Sequence, residues 1–595
     1  MTLPPTFTAA FQATVAEHPH NIALSNPDAT IRLTWRQYDK RVRRIAAGLA
    51  SLGVQRGDTV GIMLTNRPEF HLVDVAALHV GATPFSIYNT LAPEQIAHLF
   101  GNAGNRVVVC EQQFLAQIRA AAVSAETAVE HIVCIDDTDT DGEGTISLAE
   151  LESREAAGFD FDGSWRAVEP TDVLTIIYTS GTTGPPKGVE LTHANMLAEI
   201  DATTRLAPIG VDDTIISYLP DAHIANRWGS HYSSILTGMH LVALADMKQM
   251  ITVLPSIRPT FFGAVPQVWY KLKAGIEAQV AAEKSPVKQK LASWALDVGK
   301  RRARTMSGGE PVPRSLQAQH AIAEKLVLST IRAKLGLDRV KFAATGAAAI
   351  DPEALEFVLG LGLPCCELWG MSELSCAATV NPPDAIRIGT VGKALHNVEL
   401  RIAGDGELLV RGPLVMKGYR NEPEKTAEAI DTDGWLHTGD IATIDEDGYV
   451  RIVDRKKEIM INAAGKNMSP SNIEGTIKVS SPLVGSAVAI GDDRPYVVAL
   501  VTLDADAAAI FAQQHGLDDA SPKALADDPA VHAAIDVGIK AANERLARVE
   551  QIKKFTILPV VWEPGGDEVT PTMKLRRKPI AAKYAAEIEE LYQRS

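Results

Sequence analysis

Twelve consecutive residues, Tyr178-Thr-Ser-Gly-Thr-Thr-Gly-Pro-Pro-Lys-Gly-Val189, hold a dense set of groups able to do chemistry. Thr179, Ser180, Thr182 and Thr183 offer hydroxyl donors, and Lys187 offers a point positive charge. Gly181, Gly184 and Gly188 permit positive φ and let the backbone come close to a ligand. Hydroxyls, backbone N–H groups and an ammonium together suit a polyphosphate. A Walker loop is rejected by the spacing, because that motif runs G-x-x-x-x-G-K-[ST] directly into a helix. Here Lys187 follows Pro185-Pro186, and Gly188 stands where Ser or Thr is required. A bland surface hairpin would not need a defined order over twelve positions.

Further along, Val340 to Ile350 ends in the small residues Gly346, Ala347 and Ala348, against which a flat base could pack. Glu367-Leu368-Trp369-Gly370-Met371-Ser372-Glu373 offers a ring for stacking and, in Glu373, a hard oxygen ligand suited to Mg²⁺ on nucleotide phosphates. Asp440 can accept two hydrogen bonds from ribose hydroxyls, and Arg455 can reinforce the same sugar or a phosphate. Asp137-x-Asp139-x-Asp141-Gly142 begins like a calcium loop. Its twelfth position is Leu148 and no helix precedes it, so a solvated acidic turn is expected.

The elements that must position these groups alternate in type, as in an α/β protein. Asp172 to Tyr178 is an apolar β-branched run and reads as a buried strand. Val189-Glu190-Leu191 is a second extended piece, and Thr192 is the expected N-cap of a helix from His193. Earlier, Thr34 to Leu52 has helical spacing, Val60 to Leu64 reads as a strand, and Asn66-Arg67-Pro68-Glu69 opens another helix. Lys271 to Asp338 is mostly helical by pattern, broken at Gly308-Gly309 and Pro311-Val-Pro313, with Trp294 expected in the core. Glu367 to Glu373 is expected just beyond a strand.

The chain has 595 residues, which corresponds to about three to four domain-sized units. A net charge of −15 disfavours a nucleic-acid binder. Cys110, Cys134, Cys365, Cys366 and Cys376 are sparse and odd in number, so neither a disulfide framework nor a zinc site is expected. The N-terminus lacks a basic region followed by an apolar one, and no apolar run approaches ~18 residues. A cytoplasmic location is expected. A lipid substrate is compatible with peripheral membrane contact, although no amphipathic basic helix declares it.

The run Tyr178 to Val189 resembles the phosphate-binding signature of the adenylate-forming superfamily, which contains acyl-CoA synthetases, luciferases and peptide-synthetase adenylation domains. Asp433-Gly-Trp-Leu-His-Thr-Gly-Asp440-Ile, continuing to Val453-Asp454-Arg455-Lys456-Lys457-Glu458, is similar to the fatty-acyl-CoA synthetase signature. Trp369 and Ser372 depart from the usual Tyr-Gly-x-Thr-Glu. The resemblance implies a large multi-layered N-terminal domain at 1–453, with a helical insertion about 272–338. It also implies a hinge at 454–459 pivoting on Lys457, and a small mobile C-terminal α/β lid at 460–595.

Site roles follow from the same resemblance. Lys574, in Thr570-Pro-Thr-Met-Lys574, matches the catalytic lysine, with Glu373 and Thr179 at the metal and reaction centre. ATP or AMP would meet Thr179 to Gly184, Lys187, Gly346 to Ala348, Glu367 to Gly370, Ser372, Asp440, Ile452, Arg455 and Lys574. The acyl pocket would use Gly346 with His223 and Arg227, which at a spacing of four would share a helical face. Gly465, Lys466 and Asn467 would face coenzyme A. The implied reaction is ATP-dependent activation of a long-chain fatty acid and transfer to CoA. A ligase loading a carrier protein, an amino-acid or aryl-acid activator and a non-catalytic binding relative are the alternatives. Asp221 lies in a loop before the His223 helix, which disfavours an amino-acid substrate.

Overall fold

The computed structural model describes residues 3–136, 144–179, 185–464, 466–517, 519–570 and 573–593. The acidic turn at 137–143 therefore lies outside the described residues. Among those described, the strands build two large sheets, a four-stranded antiparallel sheet and a three-stranded sheet near the C-terminus, plus a two-stranded ribbon.

One large sheet has Thr59–Met63 at its centre, parallel to Thr83–Ser86 and Val107–Cys110. Val173–Thr179 joins it beside Thr83–Ser86, and Lys187–Thr192 turns back antiparallel to Val173–Thr179. Thr192 caps the helix His193–Thr204 through its side chain and a reciprocal bond with Asn195. The two prolines therefore lead into a strand. Pro68–Val80 is buried around its whole circumference and closes on Gly81 in the left-handed region. Thr83 and Pro84 already belong to the next strand.

The second large sheet runs Thr214–Ser217, Phe261–Ala264, Phe342–Thr345 and Cys365–Trp369 in parallel. Their carboxyl ends lie on one edge, where α/β sheets bind ligands. That edge carries the loop to His223, the turn at Gly346 and the turn at Gly370. Glu367, Leu368 and Trp369 lie within the strand Cys365–Trp369 and not beyond it, because Leu368 and Trp369 pair with Val380 and Thr379.

The insertion is helical: Pro266–Ala281, Pro286–Ser307, Arg314–Ala323 and Ser329–Leu335. Trp294 packs half-buried against its core. Clusters of buried apolar side chains from Phe7 to Val450 share no residue with those from Met460 to Leu591. Between them, Leu436–Ile444 and Val450–Arg455 form a hairpin that sets Asp440 opposite Arg455.

Candidate active site

Thr179 ends its strand directly opposite Lys187. Ser180, Gly181, Thr182, Thr183 and Gly184 lie outside the described residues. Lys187 Nζ sits 4.6 Å above the centre of the Tyr419 ring. Tyr419 in turn donates its hydroxyl to Glu373 Oε1 at 2.9 Å. Burial and the neighbouring Glu373 push the phenol well above its usual range, so it remains a donor. Tyr419 reaches this place because Gly418–Tyr419 pairs with the strand Lys187–Thr192. The sequence offers no signal for it beyond an ordinary Gly-Tyr pair. Glu373 is buried, and its carbonyl is held by the Met416 N–H at 2.8 Å.

On the neighbouring sheet edge, Gly346 leaves room that the Leu368 side chain fills, with Cδ1 2.7 Å from where a Cβ would stand. Ala347 adopts φ +66°, a left-handed turn that carries the chain through Ala348 to Asp351. Glu367 is buried, and burial raises its carboxyl to about 8, so it is neutral at pH 7. Trp369 donates its indole N–H to Asp440 Oδ2 at 2.8 Å. Arg455 Nε approaches Asp440 Oδ1 at 2.7 Å. Burial raises the Asp440 carboxyl above its usual value, against the pull of Arg455 and the Trp369 hydrogen bond. Ile452, on the same strand as Arg455, packs half-buried against the large core. Ser372 opens the short turn that holds Glu373.

Lys574 comes to this cluster from the C-terminal part of the chain. Its N–H donates to Thr570 Oγ1 at 3.0 Å, and its carbonyl accepts the Thr570 N–H at 2.9 Å. Met573 takes φ +61° to close the turn. Lys574 as a whole is exposed, yet protein groups surround its ammonium. Desolvation, and then the positive Arg455, lower its pKa from the usual lysine value, while Glu373, Asp440 and Glu458 pull the other way. His223 feels the same ammonium. Its pKa is lowered to about 4, by burial first and Lys574 second, so it is a neutral imidazole. One lysine is thus electrostatically coupled to His223, Glu373, Asp440 and Arg455, which lie on separate elements.

The AMP-binding enzyme family matches residues 11–420, and its C-terminal domain matches residues 457–595. The chain belongs to the AMP-binding enzyme family. It is 55% identical over 450 residues to fadD11 of Mycobacterium tuberculosis (strain CDC 1551 / Oshkosh), provisionally named a fatty-acid–CoA ligase, covering 76% of this chain and 79% of that one. It is 33% identical to the long-chain-fatty-acid–CoA ligase ACSBG2 of Xenopus laevis, over 99% of this chain and 84% of that one. The o-succinylbenzoate coenzyme A synthetase MenE of Bacillus subtilis, solved with ATP and a magnesium ion, has the same fold. It superposes with a TM-score of 0.68 at 20% identity, over 97% of this chain and 99% of that one.

In this AMP-binding enzyme, His223 and Arg227 do not share the helical face expected from their spacing. His223 is the N-cap of the short turn Ile224–Asn226, its Nδ1 accepting the Ala225 N–H at 3.2 Å. His223 itself is extended (φ −95°, ψ 135°), so its side chain leaves the helical face even though the Arg227 N–H reaches the His223 carbonyl at 3.4 Å; a π-turn, Arg227–Tyr232, begins only after that interval. Arg227 is wholly buried. It donates to Asp74 Oδ2 at 2.6 Å, the Tyr232 hydroxyl at 2.8 Å, Ser86 Oγ at 2.8 Å and the Asp221 carbonyl at 3.1 Å. A guanidinium so occupied braces the His223 turn from behind and is no open pocket wall. Asp221 is buried too, receives Asn226 Nδ2, and is raised by desolvation to about 8. A neutral, enclosed carboxyl is not available to hold a substrate amine.

The segment between the two parts of this AMP-binding enzyme is also braced. Asp454 accepts the Ser469 and Ser471 hydroxyls at 2.5 and 3.0 Å. Lys456 reaches Asp405 at 2.5 Å and Glu407 at 3.1 Å. Lys457 is exposed in the turn between these ties. Gly465 lies outside the described residues. Lys466 and Asn467 are exposed in the ribbon where Asn467 pairs with Ile461.

Proposed function

We propose that this chain is an AMP-forming fatty-acid–CoA ligase acting on long acyl chains. The observation that carries the reading is that the Lys574 ammonium, brought by the C-terminal domain, lies within electrostatic reach of Glu373, Asp440, Arg455 and His223. The fatty-acid–CoA ligase names of fadD11 and ACSBG2 support the substrate class.

A carboxylate is a poor acyl donor, because its leaving group would be oxide. Attack of the fatty carboxylate on the α-phosphate of ATP forms an acyl-adenylate and releases pyrophosphate. Two anions must meet, so cationic and donor groups have to be in place beforehand. Lys574 neutralises charge at the carboxylate and α-phosphate. Lys187 and the hydroxyl-rich loop take the outer phosphates, and Asp440 with Arg455 takes the ribose. Neutral His223 lines the acyl side without adding a charge that would attract water. Glu373 fits a magnesium site as a buried carboxylate that takes the Tyr419 hydroxyl on Oε1. A Mg²⁺ ion is commonly bound by one or two carboxylates together with substrate phosphates and waters, and Thr179, paired with Lys187 at the end of its strand, would offer its hydroxyl from that side. When bound, the ion supplies positive charge to the departing pyrophosphate.

CoA thiolate then attacks the mixed anhydride and AMP leaves. Lys574 would obstruct that approach, so the lid turns about the 454–459 segment between the half-reactions and brings Gly465, Lys466 and Asn467 toward CoA. The test is product formation from ATP, Mg²⁺ and fatty acids of graded length, with and without CoA. Acyl-CoA peaking at long chains is the expected result. Acyl-AMP that accumulates and gives no thioester with CoA would instead assign a carrier-protein ligase. No product from any fatty acid would overturn the reading.

A further inference from the structure

Asp440 is held from two directions by groups on two different sheets. Trp369, at the end of a strand of the large parallel sheet, gives its indole N–H to Oδ2 at 2.8 Å. Arg455, across the hairpin, gives Nε to Oδ1 at 2.7 Å. These two restraints differ in stiffness. Trp369 is only 9% exposed, its carbonyl accepts the Ala378 N–H at 2.9 Å, and it pairs with Thr379. The next residue, Gly370, packs so closely that a Cβ there would lie 1.8 Å from the Cys376 carbonyl. The indole therefore has little freedom to move. The Arg455 side chain is 44% exposed, long and able to swing toward solvent.

A carboxylate offers about four lone-pair positions. Trp369 and Arg455 use two of them, leaving two for a diol. The tryptophan is also one of the two places where the chain departs from Tyr-Gly-x-Thr-Glu. A phenol carries its O–H at the far tip of the ring, whereas an indole carries its N–H on the flank. The departure thus creates a hydrogen bond that a tyrosine would direct elsewhere.

We infer that Trp369 is a positioning residue for nucleotide selection: its N–H fixes the Asp440 carboxylate so that both ribose hydroxyls are read. The inference rests on Asp440 being the ribose acceptor. Without the indole N–H the carboxylate follows Arg455, and the acceptor is no longer preorganised. Loss of the N–H alone leaves the ring in place, so a change confined to that N–H bears on the ribose and not on the phosphates or the acyl chain.

The test compares ATP with 2′-deoxy-ATP and 3′-deoxy-ATP in acyl-CoA formation by the full chain. Trp369→Phe is expected to raise KM for ATP about tenfold, the scale of one hydrogen bond to a charged group, with kcat changed far less. The preference for ATP over the deoxy nucleotides, as a ratio of kcat/KM, is expected to fall by a similar factor. Replacing Trp369 with 3-benzothienylalanine keeps the ring shape and removes only the N–H. It is expected to do the same, and it serves if Trp369→Phe fails to fold. Asp440→Asn separates the two claims. If Asp440→Asn loses the ribose preference and the benzothienyl variant keeps it, the inference about Trp369 is overturned while the ribose reading stands. If Asp440→Asn keeps the preference, the ribose reading fails and the inference fails with it. An equal loss for all three nucleotides in the Trp369 variants would mean that the ring acts by packing alone.

Discussion

Arg545 of the C-terminal domain and Asp351 of the large domain form an ion pair across the domain boundary. Asp351 is well placed to receive it. It caps the helix Pro352–Gly360 through the Glu353 and Ala354 N–H groups, and its own N–H donates to the Tyr270 hydroxyl at 2.9 Å. Arg545 ends the helix Pro529–Arg545. The pair therefore joins two stiff elements, one of them beginning six residues past Gly346. Lys271 and Asp506, 3.4 Å apart, add a second and more exposed tie. Arg545→Ala is expected to slow acyl-adenylate formation severalfold, because it loosens the lid position that brings Lys574 to Asp440. Thioester formation from supplied acyl-adenylate should not slow. Pyrophosphate release and CoA consumption, measured separately, report the two steps; equal slowing of both would count against a latch.

Lys574→Ala should separate the half-reactions more sharply. Removing a preorganised cation from a site of converging anions costs on the order of 10²–10³ in rate. That loss should fall on the adenylate step, with the thioester step from supplied acyl-adenylate spared. The pH profile gives an independent check. Burial and Arg455 hold the Lys574 pKa below the ordinary lysine value, so the adenylate step should decline on the alkaline side before a free lysine would titrate. In Lys574→Arg that alkaline limb should move upward, and an unmoved limb would assign it to another group.

Gly370 and Gly263 make a matched pair. A Cβ at Gly370 would meet the Cys376 carbonyl and the Ala377 backbone, whereas one at Gly263 would meet nothing within 4 Å. Backbone cannot move aside as a flexible side chain can. Gly370→Ala should therefore displace the turn that carries Glu373, at a cost of at least about 2 kcal/mol in urea unfolding, with most activity lost. Gly263→Ala should lie within about 0.5 kcal/mol of the parent. Comparable effects of the two would show that the close approach at Gly370 is not what matters.

The strands flanking the glycine-hydroxyl loop and the Thr192 cap were legible in the sequence, because an apolar β-branched run and an N-cap threonine are local signals. Asp440 and Arg455 were legible as separate candidates. Their pairing was not, because it follows from hairpin register over fourteen intervening positions. Arg227 was misread because spacing of four implies a shared face only if the helix is regular. His223 is the extended N-cap of its turn, and a buried partner 153 residues away, Asp74, holds Arg227 inward. Tyr419 left no trace in the sequence, since its role is given by a two-residue strand docking beside Lys187. The contacts that escaped are long-range ones made by unremarkable residues.

Buried titratable groups set the pH range in which the fold is stable, and their signs can be worked out. Burial lowers His79 and His240 to about 4 and His193 to about 3. An unfolded histidine titrates near 6.5. Their contribution is therefore whole above about 6.5 and is lost as pH falls toward 4, because the unfolded chain takes up protons first. Asp221 works in the opposite direction. Its carboxyl is raised to about 8 against an unfolded value near 4, so its stabilisation is whole below about 4 and is lost as pH rises through 8. Urea unfolding should show stability falling between pH 6.5 and 4. Asp221→Asn, which keeps an oxygen for Asn226 and cannot ionise, should gain stability relative to the parent as pH is raised from 5 to 9. A difference between parent and variant that stays constant over that range would mean that Asp221 does not titrate there, and that a solvent path reaches its carboxyl.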